Sequence, residues 1–413
     1  MKGLWIARSL PFPMNTGDRI YSAELMRSLA RAGAELTVVG FAPEEPGVVP
    51  VDWPMRMQAV PGEPHGTLRA LLSAMPLVAA AHATPAFRHR IDELACDDWD
   101  FVVFDQYAMG WAIAPFLRRR GAGRRPLLVH VAHDHEASVY ASLVRGLKGS
   151  TLKRAGLWQN WLKTMAIERR IARSVDLLTA ITPQDAELFR RDAPGTAIVV
   201  MTPGYAGRAA PPRADMARAP RNVLMVGNYR WVAKAENLRK FVAAADAAFH
   251  AHDITLHVVG SMPDGLAEEL RRQTRATVLH GFVDDLEPLM ASARIAAVPE
   301  EIGGGFKLKF LDFAFGRVPV ATLDGVTAGL PTELRDALLC RPTLKALVQA
   351  IVEVIDDDAR LNAMRDAAFE AAQRRFDWAD RGRELMSAVK ALRSKDRESL
   401  PPVTDLVNEV ADA

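Results

Sequence analysis

Cysteine is scarce in this sequence, and long apolar runs are absent. The 413 residues include two cysteines, Cys96 and Cys340, which suit a reducing compartment and have no metal-ligand spacing. No stretch reaches the roughly 18 apolar residues that a membrane-spanning helix needs. Residues 1–13 carry one lysine and a short apolar run interrupted by Arg8 and two prolines, unlike a signal peptide. These absences predict a cytoplasmic protein.

The sequence also lacks an excess of either charge. Its 52 Lys and Arg residues are balanced by 50 Asp and Glu, which gives a net charge of +2 and argues against a surface built for nucleic acid. Residues 118–173 are an exception, because their many basic residues are opposed only by Asp134, Glu136 and Glu168. This segment fits either solvated helix faces or contact with an anionic membrane leaflet or diphosphate-bearing substrate.

Short apolar runs alternate with helical patterns along most of the chain. In the first half, the strand patterns are residues 3–8, 35–41, 55–60, 101–105, 127–132, 177–182 and 197–201. The helical patterns there are residues 19–31, 68–81, 85–96, 111–120, 152–173 and 183–191, and the last helical pattern of the chain is residues 378–393. Residues 202–221 are rich in Pro, Gly and Ala and indicate a linker, after which a second α/β alternation begins. The pattern predicts two domains, each with a doubly wound, largely parallel sheet. Ligands of such sheets bind beyond the carboxyl ends of the strands.

Residues 299–319 contain the most distinctive local pattern. Three consecutive glycines, Gly303, Gly304 and Gly305, follow a strand pattern and precede a helical pattern over residues 306–315. Such a turn directs backbone N–H groups and the positive end of a helix at one point, which is an arrangement that binds phosphate or another anion. An ordinary βα turn is the alternative.

Two polar loops of the first half follow strand patterns. The first, P-F-P-M-N-T-G-D-R, contains Gly17 but has no G-x-G-x-x-G motif, which disfavours NAD binding. The second, H-V-A-H-D-H-E, contains His133 and Asp134. Adjacent loop residues rarely converge on one metal ion, and no second ligand pair exists elsewhere in the sequence. A histidine and a carboxylate at a strand end instead suit polar recognition and catalysis.

Two loops of the second half are also candidates. Arg230 and Lys234 lie at the start of a helical pattern, where two cations can bind a diphosphate or simply keep the surface soluble. Loop 280–285, H-G-F-V-D-D, includes Phe282 and Val283, and its glycine and backbone groups suit a planar base.

These segments together resemble a known enzyme family. From P-F-P-M-N-T-G-D-R to F-D-W near residue 378, the chain is similar to the retaining GT-B glycosyltransferases grouped as glycosyltransferase family 4. H-D-H-E-A-S resembles the family's H-N-x-E-S variant, and I-G-G-G-F-K-L-K-F-L-D-F-A-F-G-R-V-P-V resembles its I-G-G-G-x-R-x-K-x-L-E-A-x-A-x-G-x-P-V-V.

The resemblance implies an α/β GT-B fold, with two doubly wound Rossmann-like domains facing a central cleft. The implied divisions are an acceptor-side domain (1–203), a linker (204–221), a donor-binding domain (222–376), a helix crossing back to the first domain (377–395) and a tail (396–413).

The resemblance also implies roles for individual residues. His133 is expected to contact the transferred sugar, and with Asp134 and Glu301 it forms the set of catalytic candidates. Glu300 and Glu301 are the alternative candidates for a second sugar contact. Asp312 occupies the position of a glutamate that binds ribose hydroxyls, and Arg230 substitutes for an arginine whose position is Asn228 here. The implied donor-binding residues are Gly17, Arg230, Lys234, Phe282, Val283, Gly303, Gly304, Gly305, Lys307, Lys309 and Asp312.

The predicted function is retaining transfer of a sugar from a nucleotide-diphosphate donor to a glycan or lipid-linked acceptor, in cell-surface polysaccharide or glycolipid biosynthesis. No metal and no other cofactor is expected, since cations and helix dipoles stabilise the departing diphosphate. The expected partners are donor and acceptor, with no nucleic acid, and a peripheral contact with an anionic membrane at its inner face. Two alternatives stay open: a nucleotide-sugar epimerase on the same fold, and a non-catalytic sugar-nucleotide-binding partner.

Overall fold

The computed structural model describes most of the chain in two compact units. The described residues are 1–14, 16–42, 53–66, 73–118, 125–146, 151–211, 219–301, 306–327 and 329–394, without the side chains of residues 152 and 153. Unit 1 comprises Met1–Gly204 and the chain from Asp377, and unit 2 comprises Tyr205–Phe376.

Unit 1 is built on a parallel sheet of seven strands. Its elements are β1 (Lys2–Ser9), α1 (Gly17–Arg31), β2 (Glu35–Phe41), β3 (Arg56–Val60), α2 (Leu77–His82), α3 (Pro85–Leu94), β4 (Phe101–Asp105), a 3-10 helix (Tyr107–Ile113), α4 (Ala114–Arg118), β5 (Leu127–Val131), α5 (Glu136–Gly146), α6 (Thr151–Ser174), β6 (Leu177–Ala180), α7 (Pro183–Asp192) and β7 (Ala197–Val200). The strand order is β3-β2-β1-β4-β5-β6-β7. Every residue of β4 and β5 is buried, as expected for central parallel strands covered on both faces.

Two helices of unit 1 begin with the same capping device. Thr84 precedes Pro85 at the start of α3, and Thr182 precedes Pro183 at the start of α7. Each threonine hydroxyl accepts a hydrogen bond from the backbone N–H three residues on, at 3.2 Å and 3.1 Å. The hydroxyl satisfies an otherwise unpaired helix N–H, while proline at the first helical position has no N–H to satisfy.

The last helix, α15 (Trp378–Arg393), belongs to unit 1 and packs on α1. The ring of Trp378 lies edge-on to that of Tyr21, with centroids 5.5 Å apart. Gly382 allows the two helices to approach closely, because a Cβ at that position would lie 2.2 Å from the carbonyl oxygen of Ser28.

Unit 2 is built on a second parallel sheet, of six strands. Its elements are β8 (Asn222–Val226), α8 (Val232–Ala251), β9 (Thr255–Val259), α9 (Asp264–Gln273), β10 (Thr277–Gly281), α10 (Glu287–Ser292), β11 (Ile295–Val298), α11 (Lys309–Phe315), β12 (Val320–Leu323), a 3-10 helix (Asp324–Val326), α12 (Thr332–Asp336), β13 (Leu339–Arg341), α13 (Leu344–Val354) and α14 (Asp358–Arg375). The strand order is β10-β9-β8-β11-β12-β13. The predicted doubly wound α/β fold class is confirmed in both units.

The loops after β8 and β9 touch at two glycines. Gly260 has a φ of +131°, and a Cβ there would lie 1.7 Å from the carbonyl oxygen of Gly227. Only glycine fits both the backbone angle and the space. The contact brings the carboxyl ends of these two strands together at the edge where ligands of such sheets bind.

The helix predicted over residues 111–120 is confirmed only for its α-helical middle part, Ala114–Arg118. The chain there forms the end of the first 3-10 helix and then α4, and the last two residues of the prediction lie outside the described residues. Gly110 packs so closely on α6 that a Cβ would lie 3.1 Å from Ile167 Cγ1. This close contact lies within the 3-10 helix, which the local apolar pattern did not predict.

Other predicted bounds also change. The helix predicted over 306–315 begins only at Lys309. A turn precedes it, in which the Phe310 N–H donates to the Lys307 carbonyl at 3.0 Å. The helix predicted over 68–81 is described from residue 73 onward, and its helical part is α2. The sequence patterns did not predict α5, α12 or β13. Within the described ranges, no helix is both long and apolar enough to cross a membrane.

Candidate functional site

Polar side chains collect at the carboxyl edge of the unit 1 sheet, around His133. Strand β4 ends at Asp105 and pairs there with Val131, the last residue of β5, so the two loops that follow lie side by side. His133 Nε2 is 2.9 Å from Asp105 Oδ1, and the other oxygen of Asp105 accepts a hydrogen bond from Trp5 Nε1 at 3.0 Å. Because a carboxylate only accepts, the Nε2–H of His133 points at Asp105.

The opposite nitrogen of His133 faces Gln106. Gln106 Nε2 lies 3.3 Å from His133 Nδ1, so the side-chain amide can donate to Nδ1 when the ring is neutral. The backbone of Gln106 has φ 68° and ψ 156°, close to a region that is populated almost only by glycine. Its N–H donates to the Val131 carbonyl at 2.9 Å, which holds this strained conformation in place.

The pKa of His133 is raised above its ordinary value. Burial alone would lower it, but the hydrogen bond and the negative charge of Asp105 favour the protonated ring and prevail. Ser22 Oγ lies 3.4 Å from the same Nε2 that bonds Asp105, whereas a Ser-His-Asp relay needs the serine and the carboxylate on different nitrogens. The arrangement therefore suits binding and orientation of a polar ligand by His133.

The glycine loop at the start of α1 lies beside this group. Gly17 is the exposed first residue of the helix. Arg8, at the end of β1, forms a 2.8 Å ion pair with Asp18. Arg19 donates to the Pro13 carbonyl at 3.4 Å. The structure thus brings Gly17, Arg8 and Asp18 to the same sheet edge as His133.

The two histidines of H-D-H-E have separate roles. His135 is buried, with Nε2 3.3 Å from Asp192 Oδ2. Glu168 accepts hydrogen bonds from the N–H groups of Glu136 and Ala137 at 2.7 and 2.9 Å, which caps α5 from another helix. His135 is therefore part of the packing under α5, while Asp134 is partly exposed beside His133. Among the described residues, no three ligating side chains form a group that could hold a metal ion.

Unit 2 gathers three lysines around a buried carboxylate at the carboxyl edge of its own sheet. Oε1 of Glu300, just after β11, accepts from Lys309 Nζ at 2.6 Å and from Lys234 Nζ at 3.1 Å. Lys307 Nζ is 3.9 Å from the other oxygen, and Lys309 also donates to the carbonyl of Val226 at 2.9 Å. We call Lys234, Lys307, Lys309 and Glu300 the lysine cluster.

Electrostatic interactions within the lysine cluster are strong. Burial acts to raise the pKa of Glu300, but the charges of Lys309, Lys234 and Lys307 lower it to about 2. Burial and repulsion by Lys234 lower the pKa of Lys309 to about 8, despite the attraction of Glu300. Positive charge is in excess, so the cluster is suited to an additional anion.

The remaining predicted residues of unit 2 differ in their exposure and in their partners. Asp312 is exposed on α11, yet the surrounding protein partly desolvates its carboxyl and raises its pKa to about 6, against the charge of Lys309. Glu301 points away to an exposed ion pair with Lys240, at 2.9 Å. Arg230 is exposed.

The predicted base-binding loop and the glycine turn have different outcomes. Phe282 is 74% exposed just after β10, which leaves its ring face open to a ligand, and Val283 packs against the core of unit 2. Gly303, Gly304 and Gly305 lie outside the described residues.

Sequence reasoning missed Asp105, Gln106 and Glu300 as members of these groups. Asp105 ends an apolar strand pattern and Gln106 follows it, so the rule that ligands bind at strand ends could have found them. Glu300 was considered as a sugar contact, and its position among three lysines needed the structure.

Family models and solved structures agree with this architecture. The glycosyl transferase 4-like domain matches residues 16–204, and glycosyl transferases group 1 matches residues 220–357. No curated protein matches the sequence.

Several solved structures are similar over nearly the full chain. WaaG, a glycosyltransferase involved in lipopolysaccharide biosynthesis, is 18% identical with a TM-score of 0.65, and the match covers 94% of this chain and 99% of WaaG. Anabaena HepE in complex with UDP is 14% identical with a TM-score of 0.66, over 95% of this chain and 100% of HepE. OtsA in its apo form is 12% identical with a TM-score of 0.61, over 94% and 99%.

At these identities the structural likeness establishes the fold, which is the GT-B fold of two Rossmann-like domains. With both family models matching in sequence, the chain belongs to the group 1 glycosyltransferases.

Proposed function

We propose that this enzyme is a retaining glycosyltransferase of family 4, which transfers a hexose from a nucleotide-diphosphate donor to a glycan or lipid-linked acceptor in cell-surface polysaccharide or glycolipid biosynthesis. The lysine cluster carries the proposal, because two of its lysines share one buried carboxylate at the strand end where nucleotides bind in such sheets. Neighbouring structures of HepE contain UDP and UDP-glucose, which supports a nucleotide sugar as donor.

In this proposal each unit binds a different substrate. Unit 2 binds the donor: Lys234, Lys307 and Lys309 hold the diphosphate, and Asp312 binds the ribose. The ammonium groups stabilise the negative charge that develops as the diphosphate departs, and they supply the positive charge that a metal ion provides in other transferases. The leaving phosphate then helps to deprotonate the acceptor hydroxyl on the same face of the sugar.

Unit 1 binds sugar hydroxyls and the acceptor in this proposal. His133, held by Asp105, contacts the reacting sugar, and Asp134 and the loop of Gly17 lie at the same sheet edge. The raised pKa of His133 favours its positively charged ring, which suits contact with the oxygen atoms of a polar substrate.

A panel of nucleotide sugars tests the proposal. We expect release of one nucleoside diphosphate in the presence of acceptor, retention of the anomeric configuration by NMR, and full activity in EDTA. Lys234→Ala should weaken donor binding about 10- to 100-fold, the usual loss for a charge-assisted hydrogen bond. Lys345→Ala, at an exposed lysine on α13, should not change it.

The assay also separates the alternatives. A new nucleotide sugar that forms without acceptor would identify an epimerase, and nucleotide binding without turnover would identify a binding partner. Inversion of configuration, or loss of activity in EDTA, would contradict the retaining or the metal-independent mechanism.

We also propose a peripheral contact between unit 1 and an anionic membrane at its inner face. Trp158 on α6 is 51% exposed, and Arg154, one turn before it, is exposed too. An indole beside a cation suits the boundary between lipid headgroups and acyl chains. Co-sedimentation with phosphatidylglycerol vesicles should exceed that with phosphatidylcholine vesicles and should fall in Trp158→Ala. Equal sedimentation with both vesicles would contradict the contact.

A further inference from the structure

Glu300 lies between lysines that come from two separate elements. Lys234 is in the first turn of α8, whereas Lys309 begins α11, and the two ammonium groups converge on a single oxygen, Oε1. The Glu300 side chain is only 5% exposed. A buried carboxylate that accepts from two ammonium groups fixes the position of both.

We infer that Glu300 is a positioning residue, whose carboxylate holds Lys234 and Lys309 together and charged so that they receive the two phosphates of an anionic ligand. This inference rests on the proposed function insofar as that ligand is the diphosphate of a nucleotide sugar. In this inference the role of Glu300 is to hold the lysines, and it does not contact the sugar.

The unpartnered hydroxyl of Tyr229 is a second observation at this place. Tyr229 is 1% exposed, and its hydroxyl has no hydrogen-bond partner among the residues that the structure describes. The Glu300 carboxylate is close enough to contribute to the raised pKa of this phenol, after burial. A buried hydroxyl without a partner is rare, and an anion bound at the lysines offers it an acceptor.

The charges that face Lys309 decide what a change at Glu300 does. Lys234 from α8 and Lys307 from the preceding turn repel its ammonium, while Glu300 and, from its own helix, Asp312 attract it. Glu300→Gln removes the main attraction, and the pKa of Lys309 then falls below its present value of about 8. Since an ammonium is lost as pH rises through its pKa, the variant should lose this cation near neutral pH.

A competing role predicts the opposite sign. If Glu300 only occupied the space of the ligand, its neutralisation would remove a competing anion, and anions would bind more tightly at every pH. The two roles therefore differ in the direction of the change in affinity and in its dependence on pH.

The test is calorimetric titration of the full chain with UDP and, separately, with inorganic pyrophosphate, between pH 6.5 and 7.5. In Glu300→Gln we expect both ligands to bind about 10-fold more weakly at pH 7.5, the loss of one charge-assisted bond, with a smaller loss at pH 6.5. Glu269→Gln is the matched control, because Glu269 pairs with Arg239 on an exposed face of unit 2 at 3.0 Å, and its affinities should equal those of the wild type.

Tighter or unchanged binding in Glu300→Gln at all pH values overturns the inference. If the wild type binds pyrophosphate but not UDP, ADP and GDP are titrated too. If none of these nucleoside diphosphates binds, the proposed function fails while the pyrophosphate titrations still decide the role of Glu300. If the wild type binds neither pyrophosphate nor any of them, both fail. Should Glu300→Gln not fold, Glu300→Asp keeps the charge but withdraws it by one methylene, and it should weaken binding with little change between the two pH values.

Discussion

The orientation and the charge of His133 both depend on Asp105. The carboxylate accepts from Nε2 at 2.9 Å and is itself held by Trp5. Asp105→Asn should lower turnover about 100-fold, a typical cost of misplacing a group that contacts substrate, and should lower the pKa of His133 in an NMR titration. Glu93→Gln, which removes the partner of the exposed His89, is the matched control and should leave turnover unchanged.

The same variant changes how stability depends on pH. The pKa of His133 is raised in the folded state, so its pairing with Asp105 contributes stability that is fully present below the ordinary histidine pKa of about 6.5 and is lost as pH rises through the raised value. The difference in unfolding free energy between the wild type and Asp105→Asn should therefore shrink from pH 6 to pH 8. If this difference in unfolding free energy stayed constant with pH, pairing with Asp105 would not be what raises the pKa of His133.

Replacement of Gln106 by glycine should change stability and activity in opposite directions. Its φ of 68° and ψ of 156° cost about 1–3 kcal/mol for a side chain other than glycine, whereas glycine adds about 0.5–1 kcal/mol of backbone entropy loss on folding. Gln106→Gly should therefore raise the melting temperature slightly and lower turnover, since the amide that faces His133 is lost.

The control for Gln106 is another residue with positive φ. Asp253, with φ 52° on the exposed turn between α8 and β9, should change neither turnover nor the position of His133 when it is replaced by glycine. A melting temperature of Gln106→Gly below that of the wild type would show that the backbone of Gln106 is not strained.

The packing of α15 on α1 depends on Gly382. A Cβ there would lie 2.2 Å from the Ser28 carbonyl oxygen, and because this neighbour is backbone, the helices must separate. Gly382→Ala should destabilise unit 1 by about 1–3 kcal/mol, as overpacking usually does, measured by urea unfolding. Gly156→Ala in α6, where no described atom lies within 4 Å of the new Cβ, should instead stabilise by about 0.5–1 kcal/mol.

The helices and strands that the sequence predicted are those whose signals are local. Helix α7 begins at the Thr-Pro pair and α15 at Asp377, which caps it, and the pattern of apolar residues predicted both. Helix α5 is different, because the carboxylate that caps it belongs to Glu168 in another helix. A partner supplied from a distant part of the chain leaves no local signal, so α5 was missed.

The residues of the candidate site also divide into those with a local signal in the sequence and those without one. His133 and Lys234 follow strand patterns and could be predicted, as ligands bind at strand ends. Their partners, Asp105 and Glu300, are 28 and 66 residues away along the chain. Only the order of strands in each sheet brings such residues together.

Unit 2 is one continuous segment of the chain, and it is inserted between the two segments that form unit 1. The main apolar cluster of unit 2 draws its fully buried residues from within Val223–Phe376, so a fragment of residues 205–376 contains its own core. We expect this fragment to unfold cooperatively in urea and to bind the nucleoside diphosphate of the full enzyme, because the lysine cluster lies entirely within it.

Unit 1 needs both ends of the chain. Helix α15 contributes the buried side chains of Trp378, Leu385, Met386 and Val389, each of which stabilises by about 1.5–3 kcal/mol when buried. Their sum is comparable with the roughly 5–15 kcal/mol that holds a whole domain folded. A fragment of residues 1–204 should therefore not unfold cooperatively alone but should do so when a peptide of residues 377–394 is added, and a sharp urea transition without the peptide would show that α15 is dispensable for unit 1.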